Sequence, residues 1–200
     1  TIGFIGGENL VDSIFRFLRS THDQSLMSTD GEKDEHQHNI WHGCFALHRN
    51  RNHKTIEFAR EFLKLKLDVI TRIELCFHLF DESIEEYTEL IIQDFEELLD
   101  CFLNQFSWRR AHACESVARM SSLKSDEIDN LTRDALPHIC NLVKNDPNDM
   151  VRHYACVTIG DVGNTNHIDV LISTLKSRRS KGWSKYCLLY TSPSPRDSVG

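Results

Sequence analysis

The chain has 200 residues, of which 26% are charged and 40% apolar, and its formal net charge is −7 at pH 7. That balance belongs to an ordinary globular protein with side chains enough for a sizeable core, and no apolar run approaches the ~20 residues that cross a bilayer. The acidic excess argues against a general affinity for nucleic-acid backbones, which rests on clustered Lys and Arg.

The chain opens on a segment that returns near its end. Thr1 to Asp12 aligns without gaps on Thr158 to Asp169, and the match resumes at Leu18-Arg19-Ser20 against Leu175-Lys176-Ser177. A second pair, Arg110 to Met120 against Arg152 to Val162, repeats at a period of 42 residues. Self-similarity at such a period marks stacked helix pairs, each completing its core against its neighbours. Thr1 falls inside a repeat and is not a Met, so the expectation is a fragment of a longer array. Residues 1–19 read as the end of one repeat, with a helix ending at Gly3 to Gly6 and another starting near Val11.

Residues 20–54 read as a polar insertion. Ser20 to Asn39 carries Asp30-Gly31, a turn signal, and shows neither helical nor strand periodicity, so a mobile loop is expected there. Within residues 55–103 the helical period returns: Ile56, Ala59, Phe62 and Leu63 mark one helix, Val69 to Phe80 a second, and Ile84, Tyr87, Ile91, Phe95, Leu98, Leu99 and Phe102 stripe a third of about five turns.

The clearest repeat lies within residues 104–186. Leu131, Ala135, Leu136, Ile139, Leu142 and Val143 form one apolar face, interrupted only by Pro137. Asp146-Pro147-Asn148-Asp149 then reads as a helix start, with Asp146 as N-cap, Pro147 first in the helix and Asp149 facing the positive end of its dipole. Val151, Ala155, Thr158, Ile159 and Val162 form the next buried stripe, Gly163 reads as a left-handed C-cap, and Ile168, Leu171, Ile172 and Leu175 open another helix. Lys176, Arg178, Arg179, Lys181 and Lys185, set among Trp183 and Tyr186, make a basic patch.

Leu136-Pro137, Asp146, Val151-Arg152, Ala155 and Ile159-Gly160 resemble a HEAT repeat, the antiparallel helix pair of α-solenoids. The resemblance implies an all-α, right-handed solenoid in which Pro137 bends the first helix and Asp146 and Arg152 join a polar ladder tying adjacent repeats. Residues 187–197 resemble instead the translation of a transposase sequencing adapter, so 187–200 are expected to be a disordered artefact.

Six cysteines precede that tail, Cys44, Cys76, Cys101, Cys114, Cys140 and Cys156. None forms a Cys-x-x-Cys pair, so they read as small core residues of an intracellular, cytoplasmic protein. His36, His38, His42, His48 and His53 crowd together, but matched metal-ligand spacing is missing and solvated loop histidines are the better reading; no metal site or cofactor is expected. No His is followed by Glu, as the di-iron hydroxylase built on HEAT repeats would require. From Asp81 to Asp100 stand nine acids and no Lys or Arg; on one helix Glu85, Glu89, Glu96 and Asp100 would share a side, a negative ridge for a basic partner. The resulting expectation is a non-catalytic scaffold or adaptor that binds a protein, with no membrane role. An enzyme-associated HEAT protein, such as a bilin-lyase-like chaperone or a metal-dependent hydroxylase with its chemistry elsewhere, is the alternative. A helical-repeat nucleic-acid binder ranks last.

Overall fold

The computed structural model describes residues 8–79, 84–123 and 125–176. Among the described residues there are ten α-helices, one short 3-10 turn and no strand, so the all-α expectation holds. The chain divides between Asp94 and Phe95 into two compact units.

The first unit contains α1 (Glu8–Met27), α2 (Asp30–Arg49), α3 (His53–Leu63), α4 (Val69–Leu79) and α5 (Ile84–Gln93). Helix α1 packs along α2, and α4 is flanked by α2, α3 and α5. Leu18, Ile40, Leu47, Ile70, Ile73 and Ile91 are fully buried among them, each such side chain stabilising by roughly 1.5–3 kcal/mol relative to exposure. α1 and α2 come closest at Gly43, where an added Cβ would lie 2.5 Å from the Leu18 side chain. Residues 1–7, including the first Thr-Ile-Gly segment, lie outside the described residues, as does Phe80.

The expected loop at 20–54 is corrected here. Residues 20–27 complete α1 and 30–49 are α2. The apolar stripe Val11, Ile14, Leu18 continues in register through buried Thr21 and Ser25, and the stripe of α2 begins with buried Asp34 and Gln37 before Ile40. The period is thus present but written in polar residues: Ser25 Oγ donates to the His22 carbonyl at 2.7 Å, His22 Nε2 meets the Lys66 carbonyl at 3.3 Å, and Gln37 Oε1 is buried with no hydrogen-bond partner among the described residues. Asp30-Gly31 is no turn but the first turn of α2. Glu32 reaches back to accept from the Thr29 N–H at 3.2 Å and its hydroxyl at 2.8 Å, the reciprocal half of a capping box. These two bonds hold the Glu32 carboxyl below its ordinary pKa of 4.5.

The second unit holds α6 (Phe95–Cys101), α7 (Ser107–Met120), α8 (Asp126–Asn145), α9 (Asp149–Val162) and α10 (Ile168–Lys176), the last preceded by a 3-10 turn at Thr165–His167. α9 packs against both α7 and α8, α6 and α8 against α7, and α10 against α8. The buried face of α8 comprises Ile128, Ala135, Leu136, Ile139, Leu142 and Val143, and the helix runs on through Pro137. Small residues line the seam of α7 and α9: Ala111, Cys114, Ala155 and Cys156 are all fully buried. Ile168 and Ile172 of α10 stay exposed.

Three local expectations change. The five-turn helix over 84–102 is broken at Asp94, so that α5 and α6 are separate helices in separate units. The N-cap of α9 is Asn148, whose side chain accepts from the Met150 and Val151 N–H groups, because the Asp146 carboxylate is committed elsewhere. Gly163 does cap α9, but with φ −73° and ψ 169°, an extended rather than left-handed conformation. What requires glycine there is space: an added Cβ would stand 2.3 Å from the Ile159 carbonyl oxygen.

Candidate functional site

Three arginines occupy the fourth position of their helices: Arg72 in α4, Arg110 in α7 and Arg152 in α9. Each Nη1 donates back to the connection that precedes its helix, Arg72 to the Leu67 carbonyl at 2.7 Å, Arg110 to Asn104 at 2.7 Å and Gln105 at 3.1 Å, and Arg152 to Asp146 at 2.6 Å. The remaining edge of the guanidinium takes a carboxylate. Arg72 grips Asp94 through Nε and Nη2, both at 2.8 Å. Arg110 grips Asp146 at 2.5 and 3.0 Å. Each aspartate stands one residue beyond its helix, Asp94 after α5 and Asp146 after α8, so the fork fixes where the following helix ends. This planar two-point match is the geometry for which guanidinium is suited and ammonium is not.

The expected ladder pair is therefore arranged differently from its reading in the sequence. Asp146 gives its side chain to Arg110 and an Oδ1 to the Asn148 N–H at 2.8 Å, while Arg152 takes only the Asp146 backbone carbonyl and pairs its own fork with Asp149 of the same helix. Arg110 was visible as the counterpart of Arg152 at the 42-residue period. Arg72 was missed, although a signal exists: Cys76, Cys114 and Cys156 each follow their arginine by four residues. A second tie joins α9 to α7, the Thr158 hydroxyl donating to the Cys114 carbonyl at 2.9 Å.

Those cysteines are not reactive centres. Cys44, Cys76, Cys114 and Cys156 are buried and form no disulfide. Burial pushes Cys44 well above the ordinary thiol range, Cys76 up to about 12, and Cys114 higher, so these three stay protonated at neutral pH and are poor nucleophiles or ligands.

Of the acidic residues, Glu89 is exposed on α5, opposite buried Tyr87 and Ile91, and Glu96 and Asp100 are exposed on α6, opposite buried Phe95 and Leu98. The side chain of Glu85 lies outside the described residues. Because α5 and α6 are distinct helices, the expected single ridge becomes two acidic faces. The basic patch from Arg178 to Lys185 also lies outside the described residues.

The histidines, by contrast, are ordered on helices: His36, His38, His42 and His48 on α2, and His53 at the start of α3. Among the described residues no group of three or more His, Cys, Asp or Glu is placed to hold a metal ion, and no helix is long and apolar enough to cross a membrane. No curated protein and no solved structure matches the chain. Residues 107–162, which span α7, α8 and α9 and so contain the Arg110–Asp146 fork and Arg152, match the family model of a HEAT-like repeat. The described residues are thus all-α, and those of α7, α8 and α9 are similar to a HEAT-like repeat.

Proposed function

We propose that the protein is a non-catalytic scaffold or adaptor that presents its helices to a basic protein partner, inside the cell. The observation that carries this reading is the pair of acidic faces: Glu89 on α5, and Glu96 and Asp100 on α6, point to solvent from helices whose other sides are anchored in a core. The segment from Asp81 to Asp100 itself contains no Lys or Arg. Charge so placed accelerates encounter and sets register more than it adds affinity, and it is screened beyond about 8 Å at physiological ionic strength. Glu85, also in α5, is included in the test. The test compares partners recovered from host lysate by the intact protein and by a variant with Glu85, Glu89, Glu96 and Asp100 reversed to Lys. A partner whose recovery falls in the variant and whose association with the intact protein slows steeply with added salt supports the proposal. Equal recoveries and a salt-independent rate would reduce these acids to a solvated surface.

A further inference from the structure

We propose that His38 and His42 form a two-imidazole site for a borderline divalent cation, Zn2+, Ni2+ or Cu2+, on the outer side of α2. Read as loop residues, these histidines lack a frame. On α2 they have one, since four residues along a helix place two side chains one above the other. Their ring centroids are 4.5 Å apart with planes tilted by 38°, near enough for one ion to be shared by a small change of ring angle. His42 is exposed and His38 half-buried, so an ion reaches them from solvent.

The backbone beneath is already ordered. The start of α2 is closed by Glu32 on Thr29, and its inner side is buried through Ile40, Cys44 and Leu47, so binding costs little further ordering. Nitrogen donors select this class of ion over Mg2+ or Ca2+, which demand oxygen. The spacing is that of the two histidines in zinc-binding His-Glu-x-x-His helices, but Asn39 stands where the Glu would be, so the general base is missing and the site binds without hydrolysing. Water fills the coordination positions that the two imidazoles leave. Exchangeable binding, not a permanent structural ion, is the result.

A reporter is built in. Trp41 is 5% exposed and its ring lies edge-on to His42 at 5.0 Å between centroids. Cu2+ bound at the pair should quench its fluorescence saturably, and Zn2+, which does not quench, should restore the signal by displacement. His38→Ala and His42→Ala should each weaken binding at least about tenfold, the scale on which disturbed ligand sets lose metal. His53→Ala, an exposed control on α3, should titrate as the wild type does. Equilibrium dialysis against Zn2+ gives a readout independent of Trp41: about one ion per wild-type chain, lost in the double variant, with circular dichroism confirming that α2 remains folded. Because His42 is exposed, its substitution tests the site even if the His38 variant unfolds. Quenching and stoichiometry that persist in folded His42→Ala would overturn the proposal.

Discussion

The forks Arg72–Asp94 and Arg110–Asp146 share one design and differ in depth. In the first unit the two side chains are 25% and 18% exposed; in the second they are 11% and 2% exposed. Identical geometry therefore carries different stakes. Water can still reach the Asp94 carboxylate if its arginine is removed, whereas Asp146 would be left charged and dry, and an unpaired buried ion costs far more than a surface pair contributes. The lesson is that the repeat motif sets the shape of the tie, and the packing around it sets its energetic weight.

The sharpest way to break that comparison is to remove the arginines one at a time. Arg110→Ala should destabilise by about 3 kcal/mol or more, because Asp146 loses both bonds in a dry setting. Arg72→Ala should cost only about 1–2 kcal/mol. Urea denaturation of both variants measures the difference, with midpoint and slope followed separately. Equal losses would show that depth does not govern the fork.

A packing contrast comes next. Gly43→Ala forces a methyl group toward Leu18, which is itself fully buried, and should cost about 1–3 kcal/mol through overpacking. Recovery in a Gly43→Ala, Leu18→Ala double variant would assign the loss to that single contact, while no recovery would place it elsewhere.

The smallest effect concerns the start of α2. Since the Glu32 carboxyl titrates below its ordinary value, its cap contributes at pH above that value and the contribution is lost as pH falls through the lowered one. A titration of Glu32 followed by NMR should show the depressed midpoint, and Thr29→Ala should return it toward 4.5. An unchanged midpoint in Thr29→Ala would mean that the two bonds do not hold the carboxylate.

How far the sequence could be read follows the same division between the units. In α8 and α9 most buried positions are Leu, Ile, Val and Ala at helical spacing, and most of that face was legible, although Leu131 and Val162 are only half-buried and buried Ile128 and Thr132 were not picked out. In α1 and α2 the equivalent positions are Thr21, Ser25, Asp34 and Gln37, which carry the period without the hydrophobicity by which a period is recognised. Thr29-Asp30-Gly31-Glu32 held both a turn signal and a capping-box signal; the box won because the inner side of α2 has α1 and α4 to bury against. Asp146 shows the complementary failure. Locally it is a sound N-cap, but an arginine 36 residues earlier claims its carboxylate, and the adjacent Asn148 takes the role. The acidic stripe was placed on one helix, and the break between α5 and α6 escaped because it falls at Asp94, whose carboxylate is tied to Arg72, 22 residues away.

The buried thiols offer one more use. Cys76, Cys114 and Cys156 each stand four residues after the fork-forming or equivalent arginine of α4, α7 and α9, and Cys44 lies on α2. Each is inert while its helix is docked and becomes alkylable only when that helix opens. In an array whose stability is a sum of local and neighbour terms, the four act as clocks distributed along the chain. Rates of thiol labelling, resolved by mass spectrometry, would read the opening of α2, α4, α7 and α9 separately in an otherwise unmodified protein.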